Sequence, residues 1–143
     1  MFIGEYLHSI DLKGRLAVPV KFRAGLKGQA VITRGLDQSL FVYPMEEWQQ
    51  LAKKLAALPL AQANSRAFAR LMLAGAMDAE IDRQGRILVP QYLRQYGNIR
   101  KDVVLAGLYN RIELWDQTNW QRYKSATEKK SGAIAENLSA LGI

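Results

Sequence analysis

"DLKGRLAVPVKFR" occupies residues 11–23, and "DRQGRILVPQYLR" occupies residues 82–94. Six of the thirteen aligned positions are identical: Asp11/Asp82, Gly14/Gly85, Arg15/Arg86, Val18/Val89, Pro19/Pro90 and Arg23/Arg94. The likeness runs outward in both directions. Upstream, "GEYLHSID" (4–11) matches "GAMDAEID" (75–82) at Gly, Ile and Asp. Downstream, with one residue inserted in the second copy, residues 31–48 lie over 103–120. There Val31/Val103, Gly35/Gly107, Leu36/Leu108 and Trp48/Trp120 are identical. Two copies are too few for a solenoid, so the units are expected to form a pseudo-twofold pair around one core. The expected organisation is a first unit with its helix over 1–58, a linker helix over 59–74, a second unit with its helix over 75–126, and a tail over 127–143.

Each unit reads as strand, turn, strand, short helix, two strands, helix. Asp11 and Gly14 stand three apart, as do Asp82 and Gly85. These are the first and fourth positions of a type I turn, and apolar and β-branched flanks make each a hairpin. Pro19 and Pro90 end the strand and suit the start of a short helix, where a missing N–H costs nothing. "AVITRG" with "SLFVYP", and "VVLAG" with "RIELWD", read as further strand pairs. "PMEEWQQLAKKLAAL" is an amphipathic helix with Glu46 and Glu47 in its first turn. Trp48, Leu51, Leu55 and Leu58 form its apolar stripe. The linker "SRAFARLMLAG" is expected to turn Phe68, Leu71 and Met72 inward. The tail shows only weak helical spacing at Ile134, Leu138 and Leu141.

The 143 residues are 49% hydrophobic and 23% charged, a globular and not a disordered composition. There is no cysteine, which excludes disulfides and thiolate metal sites. No apolar run approaches a membrane span and the N-terminus lacks signal-peptide character, so a soluble cytoplasmic protein with no membrane partner is expected. The net charge is +7. Segment 11–28 has five Lys and Arg against Asp11, a net +4, and segment 82–101 has five against Asp82, again +4. The remainder of the chain is therefore close to neutral, and the basic character lives in the repeat. Clustered basic charge points to a polyanion, above all nucleic acid.

Catalysis finds little support. His8 is the single histidine, and no motif for a nucleophile elbow, phosphate loop, dinucleotide fold or zinc site is present. No catalytic residue, metal or cofactor is expected. Asp11 and Asp82 fit turn-orienting roles with Gly14 and Gly85 far better than a carboxylate pair. Arg15 and Arg86 follow the turn glycine at each hairpin tip. Either each braces its own Asp, or both tips present a planar guanidinium to phosphate or guanine, and the two roles are compatible. Lys13 and Arg83 lie within the turns, where phosphate contact is plausible. Arg23 and Arg94, near helix ends, suit a bracing contact or a ligand contact equally. The aromatic pairs Trp48/Trp120 and Tyr43/Trp115 fall on apolar stripes, which favours packing over base stacking.

Together, "DxKGRLxVPxxxR" and "DxxGRxxxPxxxR", the N-terminal "MFxGEYxHxxDxKGRLxxP" and "ELWDxxxW" (113–120) resemble the MraZ family of bacterial transcriptional regulators over roughly residues 1–125. Each half also resembles the SpoVT/AbrB-like DNA-binding motif. The resemblance implies an α+β, mainly β fold: a pseudo-twofold swapped-hairpin β-barrel of the AbrB type, built from the two repeats, with flanking helices. It implies a homo-oligomeric ring, often of eight subunits. It implies binding to double-stranded DNA, on direct repeats in the promoter of the protein's own division and cell-wall gene cluster, and hence nucleoid association. The family's DxxxR signature falls on Asp11–Arg15 and on Asp82–Arg86. Lys13, Arg15, Arg23, Arg83, Arg86 and Arg94 are the expected DNA-binding residues. One departure stands out: Gln84 replaces Lys13 in the second copy, with Arg83 one place earlier, so the two tips are not equivalent.

Rival classes are a ring-forming scaffold whose basic face docks an acidic protein, and an RNA-binding module. A-form RNA hides its major groove, so competition by structured RNA separates the latter. Base readout by one tip is weak, whereas several tips engaged together bind tightly and favour repeated sites.

Overall fold

Both DxxG segments form the turns that their residues demand. The computed structural model, which describes residues 1–143, has the Gly14 N–H donating to the Asp11 carbonyl at 3.0 Å and the Gly85 N–H to that of Asp82 at 2.9 Å. The two glycines adopt φ +90° and +76°, a left-handed conformation that residues with a Cβ rarely take. The Asp11 N–H then donates to Arg15 and the Asp82 N–H to Arg86, closing each turn.

The first repeat contains β1 (Phe2–Ser9), β2 (Arg15–Ala17), α1 (Val20–Leu26), β3 (Gln29–Arg34), β4 (Leu40–Pro44) and α2 (Met45–Ala56). A linker helix α3 (Ala63–Ala69) runs into a π-turn over Arg70–Ala74. The second repeat contains β5 (Met77–Glu80), β6 (Arg86–Leu88), α4 (Gln91–Tyr96), β7 (Asp102–Tyr109), β8 (Ile112–Asp116) and α5 (Gln117–Lys129). A short α6 (Ser131–Asn137) and a 3₁₀ turn (Ser139–Leu141) complete the chain. Pro19 and Pro90 sit one residue ahead of α1 and α4, and their carbonyls accept the first helical N–H bonds.

The arms of each turn barely pair with each other; a single isolated bridge, from Ile10 just beyond β1 to Leu16 of β2, links the arms of the first. They pair with the opposite repeat instead. β1 runs antiparallel to β7, β5 to β3, and β2 to β6. The six-stranded antiparallel sheet has the order β1-β7-β8-β4-β3-β5, and β2-β6 forms a separate two-stranded ribbon. The fold is thus mixed α and β, mostly sheet. Backbone hydrogen bonds do not close a barrel: the ladder ends at β1 and at β5, and the ribbon lies outside it.

Period-two alternation explains the core. In the ribbon, Leu16 and Ile87 pair across the inner face and are fully buried, each contributing about 1.5–3 kcal/mol of burial. They join Val18, Phe22 and Leu26 from one repeat and Val89 and Leu93 from the other in one continuous core. A second, smaller core packs Phe41 and Tyr43 of β4 against Leu55 of α2 and Met72 of the linker, with Trp48, Leu51 and Leu58 half-buried around it. Thr33 ties the linker down by donating to the Met72 carbonyl at 2.6 Å. Phe68, expected inward, is instead 37% exposed. The π-turn begins two residues later, and Met72 alone of that group is fully buried, packed in the second core. The tail is helical but exposed along its length.

Candidate nucleic-acid interface

The strand ribbon puts the two signature arginines on one surface. Its register sets Arg15 opposite Leu88, Leu16 opposite Ile87 and Ala17 opposite Arg86. Directly opposed residues share a face and successive residues alternate. Arg15, Ala17, Arg86 and Leu88 therefore line the outer face, while Leu16 and Ile87 hold the inner face to the core. Arg15 and Arg86 are diagonal neighbours across the ladder, a spacing of about 7–8 Å between such positions.

Each arginine is aimed by its own aspartate. Arg15 Nε donates to Asp11 Oδ2 at 2.7 Å, and Arg86 Nε to Asp82 Oδ2 at 3.0 Å. The other carboxylate oxygen accepts two backbone N–H groups of the turn, from Lys13 and Arg15 in one copy and from Gln84 and Arg86 in the other. Those backbone bonds, Arg15's and Arg86's first, hold both carboxyls below the usual aspartate range, aided by the guanidinium bond and opposed by partial desolvation. Only Nε is engaged. The terminal nitrogens of Arg15 and Arg86 have no protein acceptor, and about a third of each side chain is exposed. A guanidinium fixed at Nε with its terminal edge open presents parallel N–H donors in the geometry that suits phosphate or a guanine edge.

Lys13 and Arg83 are exposed and form no ion pair. Arg23 and Arg94 occupy equivalent half-buried positions against the turns. Arg23 Nε donates to the Val18 carbonyl at 2.8 Å, and Arg94 Nε to that of Val89 at 3.0 Å. Each guanidinium lies against the turn glycine of the other repeat. Asp11 and Asp82 are the only carboxylates in the two turns, and both are fully engaged within them, so the outer face keeps a positive excess. Such a face favours an anion, and like charges this close repel until one arrives.

The other candidates from the sequence lie elsewhere. His8 sits on β1 opposite Val103 and makes no side-chain hydrogen bond. No three His, Asp or Glu side chains converge as metal ligands would. No helix is long and apolar enough to cross a membrane. Trp115 is buried and packs on Trp120 at 5.3 Å between centroids, and Tyr43 on Trp48 at 6.0 Å, so these rings are structural. Sequence reasoning did not single out Leu88, which stands on the outer face beside Arg15. A three-residue strand is too short to show alternation, and only the register reveals its side.

A family model described as "MraZ protein, putative antitoxin-like" matches the chain twice, over residues 1–71 and 72–140. A protein of Desulfitobacterium hafniense named "Transcriptional regulator MraZ" is 50% identical over 143 residues, covering all of both chains. Proteins of the same name from Acetivibrio thermocellus and Herpetosiphon aurantiacus are 47% and 48% identical, again over the full length of both chains.

Proposed function

The chain belongs to the MraZ family, and from that premise we propose a sequence-specific regulator of transcription that reads double-stranded DNA with its β2-β6 ribbon. The family is one of transcriptional regulators and not of enzymes. The observation that carries the reading is the shared outer face of Arg15 and Arg86, each aimed by its aspartate and open at its terminal nitrogens. Arg15 and Arg86 reach base edges or phosphates. Lys13 and Arg83 neutralise phosphates. Arg23 and Arg94 hold the turns in place through Nε and offer their remaining donors to the backbone. The ribbon, and not a helix, enters the groove, as in other β-ribbon readers.

The exchanged pairing of β1 with β7, β5 with β3 and β2 with β6 supports an AbrB-like swapped arrangement in which units 1–58 and 75–126 act as the two halves, bridged by 59–74. In this reading the chains assemble into a ring, of eight subunits or a similar number, that engages direct repeats in the promoter of the protein's own division and cell-wall genes. The protein then works at the nucleoid. Weak single-ribbon contacts gain strength when several are engaged together, which makes repeated sites the preferred targets.

Fluorescence anisotropy of a labelled duplex carrying the repeats upstream of the protein's own gene tests this against a scrambled duplex. Wild type is expected to prefer the repeats, and Arg15→Ala/Arg86→Ala to lose that preference. Equal, weak binding to both duplexes, unchanged by the substitutions, overturns the reading in favour of a scaffold that docks an acidic protein.

A further inference from the structure

The two halves of the reading face are chemically different. The turn of the first copy carries Leu12 where the second carries Arg83, and Lys13 where the second carries Gln84. Leu12 is completely exposed, with no side chain of its own protein against it. It lies in the turn that Arg15 closes, between Asp11 and Lys13. Across the ladder from Arg15 stands Leu88, 54% exposed, whereas Arg86 faces Ala17. Leu12, Lys13 and Leu88 therefore accompany Arg15, while Arg83, Gln84 and Ala17 accompany Arg86: each tip has one further cation, but the large exposed apolar side chains stand on the Arg15 side alone. A leucine at the tip of a basic turn gains nothing from its own fold. It gains on contact with an apolar group of the ligand.

Resting on the DNA-binding reading of the ribbon, we infer that the reading face has a direction: Leu12 is a specificity-determining residue that contacts the 5-methyl group of a thymine in the major groove, beside the base read by Arg15, while Arg83 at the opposite end contacts phosphate. The thymine methyl is the one apolar group that a base pair presents in the major groove's recognition pattern, and apolar side chains are its partners. A reader with two identical tips calls for an inverted site, as twofold DNA-binding dimers do. A reader with a cation at both tips but an exposed leucine at only one calls for a site without that symmetry, and so sets which way each chain faces along the duplex.

A uracil scan tests this. Duplexes selected by the full-length protein from a random pool are remade with uracil replacing one thymine at a time, which removes only the methyl group. Affinities are measured by fluorescence anisotropy for wild type and for Leu12→Ala, whose melting curve should match wild type because Leu12 touches nothing in its own fold. At one thymine of each repeat, always on the same side of it, wild type is expected to lose about four-fold, the worth of one buried carbon. Leu12→Ala is expected to bind the thymine duplex more weakly and to show no further loss with uracil. Equal uracil losses in both proteins, or no sensitive thymine at all, overturn the role of Leu12. Sensitive thymines on both sides, related by a twofold axis, overturn the direction. If Arg15→Ala/Arg86→Ala binds the selected duplex as tightly as wild type, the ribbon is not the DNA-reading surface and the inference falls with that reading, a result distinct from the others.

Discussion

Arg23 of the first repeat lies over Gly85 of the second, and Arg94 of the second lies over Gly14 of the first. The backbone repeats the exchange: the Val18 N–H donates to the Gly85 carbonyl at 2.8 Å, and the Val89 N–H to the Gly14 carbonyl at 2.7 Å. Each tip is thus built by one repeat and held by the other. The turns that present Arg15 and Arg86 are fixed relative to one another, which is what two guanidinium groups need if they are to meet one surface together.

The glycines of those turns should tolerate no side chain. A Cβ on Gly14 would lie 2.5 Å from the Val89 carbonyl oxygen, and one on Gly85 would collide with the Arg23 guanidinium. Both positions are also left-handed, which costs a residue with a Cβ about 1–2 kcal/mol. Gly14→Ala and Gly85→Ala should each lower stability by roughly 2 kcal/mol or more in chemical denaturation. The larger loss is expected at Gly14, where the obstacle is backbone and cannot swing aside.

The ribbon's inner face should be costly to trim. Leu16 and Ile87 are opposite each other and fully buried. Leu16→Ala should cost about 2–5 kcal/mol and Ile87→Val about 0.5–1.5 kcal/mol, read from urea midpoints. Because the two side chains touch one shared core, a double variant should depart from additivity.

Stability should fall in acid through the turn aspartates. Folding lowers the pKa of Asp11 and of Asp82 from the ordinary 3.8. Both therefore stabilise the fold above that ordinary value, and the stabilisation is lost as pH falls through the folded pKa values. Thermal melts of wild type should decline between about pH 5 and pH 2. Asp11→Asn/Asp82→Asn should melt lower at neutral pH and show a flatter decline.

Salt should separate phosphate contacts from base contacts. Each phosphate neutralised contributes about −0.9 to the slope of log affinity against log salt. Lys13→Gln should reduce that slope by about one while leaving the preference among duplexes intact. Arg15→Ala should reduce the preference itself. Anisotropy titrations over a salt series, on selected and scrambled duplexes, distinguish the two outcomes.

Much of this was legible in the sequence, for a local reason. An Asp and a Gly three residues apart between apolar flanks favour a turn, a proline ends a strand, and Trp48, Leu51, Leu55 and Leu58 mark one helical face. The duplication itself announced two copies of one structure with two arginine tips, and the charge count placed the basic excess there. What the sequence could not supply was which strand pairs with which. The arms of each turn look like a hairpin, yet β2 finds β6 and β1 finds β7. Pairing across about 70 residues depends on which arrangement buries Leu16, Ile87 and Phe22 together. That is a property of the whole chain and not of any window within it. The same register decided that Arg15 and Arg86 share a face, that Leu88 joins them, and that Arg23 and Arg94 reach across to the opposite turns. Local residue pattern says what the tips are made of; that they share one face follows from the folded chain, because only non-local burial sets the alignment of one strand against another.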